Sequence, residues 1–281
     1  MIKTSTIFAA ALMSLGLAAL PALAQEAAPT EPVVKQHWSF AGPFGTFDKA
    51  QLQRGFQVFQ TVCSNCHTAR LLSFRNLSEP GGPEFSEGQV KALAATYNIA
   101  DPEADGGKRK ALPSDRWPGP DQSPADLRTA FGIVPPDLSV MAKARGVEDK
   151  FPNWLFNYFT TYAEGGPDYI HALLNAYVEP PPAGVEIPDG KHYNKVFPGH
   201  AIGMPPPLAD GQVPYGKAED GSTVPLTVDQ YSRDVAAFLM WVAEPHLNET
   251  KAAGFRILTF LLLFAVLMWL VKQRVWRKVE H

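Results

Sequence analysis

Cys63-Ser64-Asn65-Cys66-His67 is the stretch on which the interpretation of this chain depends. Its two cysteines are the only ones among 281 residues, and a histidine directly follows the second. This C-x-x-C-H spacing is typical of c-type haem attachment, in which each thiol adds to one vinyl group and the histidine ligates the iron. The motif therefore predicts covalent haem on Cys63 and Cys66, with His67 as one axial ligand.

Two other chemistries use a C-x-x-C pair. A structural zinc site needs four ligands, and the chain has no second cysteine pair to supply them. A thioredoxin-like redox pair belongs in a βαβ context, which the flanking sequence does not offer. Both explain the motif less well than haem does.

Residues 1–24 have the pattern of a secretory signal peptide. Lys3 is their single charge, an apolar run follows from Ile7 to Leu20, and Ala22-Leu23-Ala24 forms an A-x-A cleavage site. The run is too short and too rich in alanine and glycine for a membrane-spanning helix. We therefore expect the mature chain to begin near Gln25, on the periplasmic side of a bacterial inner membrane.

A second apolar segment lies near the C-terminus. The run 257–271 carries no charge, and it reaches spanning length as 252–273 if the Arg256 side chain extends towards the headgroups. Four basic residues follow the uncharged run: Lys272, Arg274, Arg277 and Lys278. They favour a cytoplasmic location for the tail, 274–281. A buried core helix is the alternative, but it would seldom lack a polar face. The pattern predicts a single-pass anchor with the preceding domain outside.

The predicted exported domain, 25–251, is acidic. It holds 19 basic and 27 acidic residues, a net charge of −8, whereas the whole chain carries −3. Such a surface can attract a basic protein partner at long range, although solubility alone would also explain it. Nucleic-acid binding is not supported, because there is no basic patch outside the tail.

Helical periodicity and turn residues predict a mainly α domain with long loops. We expect loops at 99–136 and 178–226, where proline and glycine are frequent. Capping-box patterns occur at Ser86–Gln89 and Thr227–Gln230, and Asp137 or Ser139 could cap a short helix. The predicted helices are Phe47–Thr61, Val90–Tyr97, Val140–Arg145, Phe151–Tyr162 and the stretch from Tyr231 that stops at Pro245. In the first of them Leu52, Phe56 and Phe59 form an apolar stripe at helical spacing.

The second axial ligand is sought by excluding the methionines that have other expected roles. Met1 and Met13 belong to the predicted signal and Met268 to the anchor, while Met141 and Met240 lie among apolar residues of predicted helices. This leaves Met204, which a loop stiffened by three prolines could present with little conformational freedom to lose. His200 competes four residues earlier, and an open sixth position stays possible at this point. The histidines that we expect to be structural or at the surface are His37, His171, His192 and His246.

Four further segments accompany the haem motif and the anchor: Arg54–Phe59, Pro135–Ser139, Phe197–Pro206 and Asp234–Pro245. Together they resemble the cytochrome c1 family, the haem-c subunits of the cytochrome bc1 complex. The resemblance covers roughly 36–278 and is closest to alphaproteobacterial members. Several bacterial members carry an extra cysteine pair that forms a loop disulfide. This chain has none, so we expect packing and prolines to hold its loops around 165–200.

The resemblance implies a fold related to class I c-type cytochromes, with added loops and one C-terminal transmembrane helix. It implies one covalent haem c on Cys63 and Cys66, with His67 and Met204 as axial ligands. It further implies an electron-relay subunit of ubiquinol–cytochrome c reductase that performs no bond chemistry of its own. Its expected partners are cytochrome b, the Rieske iron–sulfur protein, a soluble or membrane-anchored cytochrome c and the lipid bilayer, in a dimeric complex.

Two other function classes remain. A free-standing membrane-anchored cytochrome c that shuttles electrons to an oxidase would need a domain of only about 100 residues. A haem sensor or a peroxidase would need an open iron position. The long loops argue against the first class, and the Met204 assignment argues against the second.

Overall fold

The computed structural model describes residues 30–146, 152, 155, 157, 164–217 and 221–277. The predicted signal peptide 1–24 lies outside the described residues. So does most of the predicted helix Phe151–Tyr162, of which Leu155 and Asn157 are described and helical. The predicted tail is described as far as Arg277.

The described chain is mainly helical, as the sequence predicts. The α-helices whose bounds lie within the described residues are α1 Lys49–Thr61, α2 Glu87–Ala94, α3 Pro124–Phe131, α4 Met141–Ala144, α5 Gly165–Asn175, α6 Val228–Ala243 and α7 Leu247–Trp276. Two small antiparallel pairs accompany them: β1 Asn98–Ala100 with β2 Lys108–Lys110, and β3 His192–Tyr193 with β4 Ala201–Ile202.

The core forms around α6, which packs against α1, α4 and α5. Its residues from Tyr231 to Val242 are buried on nearly every side, apart from the half-buried Arg233. From α1 the apolar stripe predicted by helical spacing, Leu52, Phe56 and Phe59, is buried against it. Phe56 and Phe59 both contact the ring of Phe238, at centroid distances of 5.7 and 5.4 Å. Burial of these large rings stabilises the fold.

A buried ion pair lies in the same interface. Arg54 of α1 donates two hydrogen bonds to the Asp234 carboxylate of α6, at 2.9 and 3.1 Å, and Gln230 donates a third at 3.0 Å. Asp234 is completely buried. Burial alone would lower the pKa of Arg54, but the hydrogen bond and the charge of Asp234 raise it. The fixed geometry of this pair sets the register of α1 on α6.

The two helices meet most closely at Gly55. A Cβ placed there would lie 2.1 Å from the Asp234 carbonyl oxygen and 2.7 Å from Phe238 Cβ. No side chain can be accommodated at that separation without moving one helix. Because α1 leads directly into the C-x-x-C-H motif, this contact also fixes where the motif begins.

Residues 99–136 contain more regular structure than the predicted loop. Strands β1 and β2 form a hairpin at one end, and α3 is capped by Ser123, whose side chain makes a reciprocal capping box with Asp126. Strand alternation over three residues and a helix of eight residues are too short to stand out among many prolines and glycines. The described part of 178–226 is largely irregular, as expected, with β3 and β4 as its only strands.

Three predicted caps have different outcomes. Ser86 forms its reciprocal capping box with Gln89, which confirms that prediction. Thr227 accepts from the Gln230 amide, but the Gln230 side chain turns to Asp234 instead of completing the box. The prediction that Asp137 or Ser139 caps α4 is wrong, because Val140 occupies that position without a side-chain cap.

Helix α7 is the candidate anchor. It runs for 30 residues, its most apolar window has a mean hydropathy of 2.3, and none of that window is buried within the protein. It begins five residues earlier than the predicted span and continues three residues further. Its length of about 45 Å exceeds a hydrocarbon core of about 30 Å. The helix can therefore cross a membrane with its first two turns outside.

We expect Gly55→Ala to destabilise the domain by about 1–3 kcal/mol or more, because its methyl group would overlap the α6 backbone. Gly88→Ala is the matched control, since a Cβ on that exposed α2 residue meets only the Ser86 side chain at 4.0 Å. There alanine should be neutral, or stabilising by up to about 1 kcal/mol through helix propensity. Denaturant titration of the full chain in detergent measures both. Equal stability of the two variants would contradict the proposed close approach.

Candidate functional site: a c-type haem centre

The C-x-x-C-H motif is a tight turn that continues from the end of α1. Residues Cys63–Asn65 form one 3₁₀ turn, and the Cys63 carbonyl accepts hydrogen bonds from the amides of Cys66 and His67 at 3.2 and 2.9 Å. The turn therefore holds both thiols and the imidazole within five residues on a rigid base.

The His67 ring is oriented by a backbone carbonyl. Its Nδ1 lies 2.8 Å from the carbonyl oxygen of Pro136, which can only accept, so Nδ1 carries the proton and Nε2 presents its lone pair. Burial lowers the pKa of His67, although the Pro136 bond opposes the shift. The ring is thus neutral near pH 7. This is the tautomer and charge state that an axial ligand needs.

The segment that carries Pro136 is clamped to the motif by Asp137. Its carboxylate accepts from the Thr68 hydroxyl at 2.7 Å and from the amides of Arg70 and Ser139 at 2.9 Å each. Burial opposes ionisation of Asp137, but these hydrogen bonds prevail and lower its pKa well below the usual range. The Ser139 hydroxyl accepts from the Leu71 amide at 3.0 Å. Asp137 and Ser139 therefore position the chain after His67.

Met204 lies in the loop that follows β4. Pairing of Tyr193 with Ala201 and of His192 with Ile202 aligns the loop, and the Tyr177 hydroxyl donates to the Met204 carbonyl at 3.1 Å. Burial raises the pKa of Tyr177, so its hydroxyl keeps the proton that it donates. The backbone of Met204 is thus held, and the residue is half-buried.

Asn194 is the internal support of this loop. The residue is completely buried, and its side-chain nitrogen donates to the Leu173 carbonyl at 2.8 Å. Its side-chain oxygen accepts from the backbone amides of Val196 and Phe197. Its backbone bonds to His200 through both the amide and the carbonyl. The expectation that packing and prolines alone hold the loops around 165–200 omits this hydrogen-bonded residue. Asparagine is common in loops, so nothing in the sequence distinguishes Asn194 from an ordinary loop residue.

The His67 and Met204 segments meet through the chain between α3 and α4. A Cβ at Gly203 would lie 3.3 Å from the Phe131 carbonyl oxygen and 3.6 Å from Ile133 Cγ2. Three residues after Ile133, Pro136 holds His67. One short segment therefore touches the loops of both predicted axial ligands, which stand 137 positions apart in the sequence.

His200, the competing ligand, has a structural setting. Its ring is buried, stacks on Tyr193 at a centroid distance of 5.4 Å and donates from Nδ1 to the Asn194 carbonyl at 3.0 Å. Three of the four histidines expected to be structural or at the surface pair with carboxylates: His171 with Asp229, His192 with Glu179 and His246 with Glu249. Met240 is buried in the core, as predicted.

The motif does not have the environment of a zinc site. Burial raises the pKa of the Cys63 thiol to about 12, which disfavours the thiolate that thiol exchange requires. Within the described ranges, no group of three or more His, Cys, Asp and Glu side chains could hold a metal ion.

Comparison with known proteins decides the family. The sequence model of the Cytochrome C1 family matches residues 38–279, which includes both thiols, both candidate ligands and α7. The chain belongs to the cytochrome c1 family. Cytochrome c1 of Blastochloris viridis is 49% identical over 270 residues, covering 94% of this chain and 93% of that protein.

Two further relatives extend the comparison. A protein named Cytochrome b/c1, from Bradyrhizobium diazoefficiens, is 50% identical over 243 residues, or 85% of this chain. This chain spans only 35% of that relative's length. The mitochondrial haem protein Cytochrome c1-2 of Solanum tuberosum is 42% identical over 223 residues, covering 78% of this chain and 75% of the relative.

A member of the cytochrome c1 family carries a c-type haem, and the residues present fit one. The motif supplies two free thiols and an imidazole with an available Nε2. The adjoining segments expose apolar side chains that suit a porphyrin face: Leu71 is 59% exposed, Ile133 57% and Val140 45%.

We expect Asp137→Asn to destabilise the domain by about 1.5–3 kcal/mol, because it weakens charge-assisted hydrogen bonds to two loops. The lowered pKa of Asp137 fixes the sign of the pH dependence. The ionised Asp137 carboxylate contributes its full stabilisation above its pKa in the unfolded chain, about 4. This stabilisation is lost as the pH falls towards the lower pKa of Asp137 in the folded protein.

Denaturant titrations of the full chain at neutral and at acid pH measure this effect. The wild type should lose stability on acidification more steeply than Asp137→Asn does. Asp121→Asn is the control, since Asp121 is exposed and makes no hydrogen bond to the described residues. Equal effects of the two substitutions would contradict the role of Asp137 as a clamp.

Proposed function

We propose that this chain is the electron-relay subunit of a quinol–cytochrome c reductase. It would receive electrons from a Rieske iron–sulfur protein and pass them to a cytochrome c, with haem c on Cys63 and Cys66 and with His67 and Met204 as axial ligands. The family match over 38–279 carries the proposal, because it includes the haem-binding loops and the anchor together. The Bradyrhizobium relative is named Cytochrome b/c1, which supports cytochrome b as a neighbour.

Haem supplies a one-electron carrier, and the protein determines its position and potential. Pro136 fixes the His67 tautomer, and Asp137 restrains the chain on which that carbonyl lies. Tyr177 and Asn194 restrain the loop of Met204. Loops held in this way need little rearrangement between oxidation states, which favours electron transfer over ligand exchange. No bond of a substrate is made or broken by these residues.

Orientation across the membrane follows from the sequence at either end. The proposed periplasmic domain comprises 25–251, the anchor 252–273 and the cytoplasmic tail 274–281. The exposed apolar surface of α7 supports a single crossing. Release of the signal peptide 1–24 would leave the haem domain in the periplasm, held at the inner membrane of a dimeric complex.

Met204→Leu should retain covalent haem but lower its potential on the order of a hundred millivolts or more, because axial ligands set haem potentials across about 0.8 V. Met141→Leu is the control, because Met141 packs against the core at the start of α4. Redox titration of optical spectra on membrane-extracted protein measures both. An unchanged potential in Met204→Leu would exclude the ligand assignment.

Co-purification of the tagged wild-type chain with a cytochrome b tests the assignment to a complex. Recovery of a b-type haem and an iron–sulfur protein with the chain is the expected result. Isolation of the chain alone from mildly solubilised membranes would favour a free-standing anchored cytochrome that serves an oxidase. A reduced haem that binds CO rapidly would indicate an open iron position instead.

The acidic domain surface should accelerate transfer to a basic cytochrome c. Because exposed charges are screened by salt, the second-order rate should fall as ionic strength rises. Stopped-flow oxidation of the reduced complex measures this rate, and an uncharged small oxidant serves as the control. An acceptor reaction as insensitive to salt as the control would contradict electrostatic steering.

A further inference from the structure

An uncharged aromatic loop lies beside the first turns of the anchor helix. Residues Trp38–Phe47 contain no charged side chain. Trp38, Phe40 and Phe47 are buried, with ring centroids 5.4 and 4.9 Å apart along the series. Phe44 points away from this cluster and is 74% exposed. A single large apolar side chain is thus held outward on a loop whose other rings belong to the core.

The loop is closed tightly by its own backbone. The Thr46 amide donates to the Ser39 carbonyl at 3.0 Å, and the Ala41 amide donates to Trp38 at 3.1 Å. A Cβ at Gly45 would lie 2.1 Å from the Ala41 carbonyl oxygen, so only glycine fits beside Phe44. Phe44 is therefore presented by a rigid turn.

Three residues of one α7 face hold this loop. Asn248 accepts from the Phe47 amide at 3.3 Å, and Lys251 donates to the Phe40 carbonyl and, at 3.4 Å, to the Gly45 carbonyl. Phe255 meets the Phe44 ring edge-on at a centroid distance of 5.7 Å. Spacings of three and four residues place these contacts along one side of the helix. The loop and the helix thus move as one body.

The position of Phe255 along α7 shows how Phe44 lies relative to the apolar span of that helix. Phe255 precedes the uncharged run 257–271 by two residues, a rise of about 3 Å. It therefore lies at the outer boundary of the apolar span. Phe44, in contact with it, reaches the same level from outside the helix.

We propose that the Trp38–Phe47 loop is a second membrane contact, with Phe44 inserted at the boundary between lipid headgroups and acyl chains. The continuity of Phe44 with the apolar surface of α7 favours lipid as the occupant, and the uncharged loop lowers the cost of entering that boundary. Two contacts held rigidly together would fix the tilt of the domain and its height above the membrane. The inference concerns the placement of the domain and stands apart from the identity of its redox partners.

Photo-crosslinking in native membranes tests the proposal. The full chain would carry p-benzoylphenylalanine in place of Phe44, whose exposure leaves the core contacts intact. After irradiation and trypsin digestion, peptide 36–49 should gain the mass of phospholipid. The same replacement at Phe255 is the positive control.

Leu226 is the matched control, an apolar residue 39% exposed that precedes α6. The sixteen residues of α6 separate it by about 24 Å from the end that leads into α7. Lipid adducts at positions 44 and 255 but not at 226 would support the proposal. Adducts of position 44 with another polypeptide, or a lipid yield no higher than at 226, would overturn it.

Discussion

The close approach of α1 and α6 at Gly55 is the contact on which the rest of this structure depends. It brings the Asp234 carbonyl within 2.1 Å of where a Cβ would lie, and the Arg54–Asp234 pair fixes the same interface with directional bonds. Because α1 leads directly into Cys63, any shift along this interface would move both thiols and His67. The haem motif is therefore positioned by helix packing that begins eight residues before it.

From that base the site extends through backbone hydrogen bonds. Pro136 orients His67, Asp137 secures the chain around Pro136, and Ile133 reaches Gly203 beside Met204. The segment between α3 and α4 thus couples two loops that are remote in sequence. A displacement of one loop would therefore be opposed by contacts with the other, and such resistance would suit a carrier that transfers electrons with little reorganisation.

The sequence predicted those parts that depend on local chemistry. The C-x-x-C-H spacing, the stripe of Leu52, Phe56 and Phe59 and the apolar run of α7 each require only neighbouring residues to be recognised. The functions of Asp137 and Asn194 could not be predicted in this way. A proline-flanked aspartate resembles a helix cap, and its actual partners, Thr68 and Arg70, lie almost seventy positions away. Asn194 gains its importance only from burial among distant carbonyls.

We propose that the protein holds the iron between His67 and Met204, with His200 retained as a structural residue. Near-infrared magnetic circular dichroism of the oxidised wild-type chain tests this without any substitution, since imidazole–thioether and bis-imidazole ligation give different charge-transfer bands. We expect a low-spin spectrum with imidazole–thioether ligation. A bis-imidazole spectrum, or a high-spin spectrum of an open position, would contradict it.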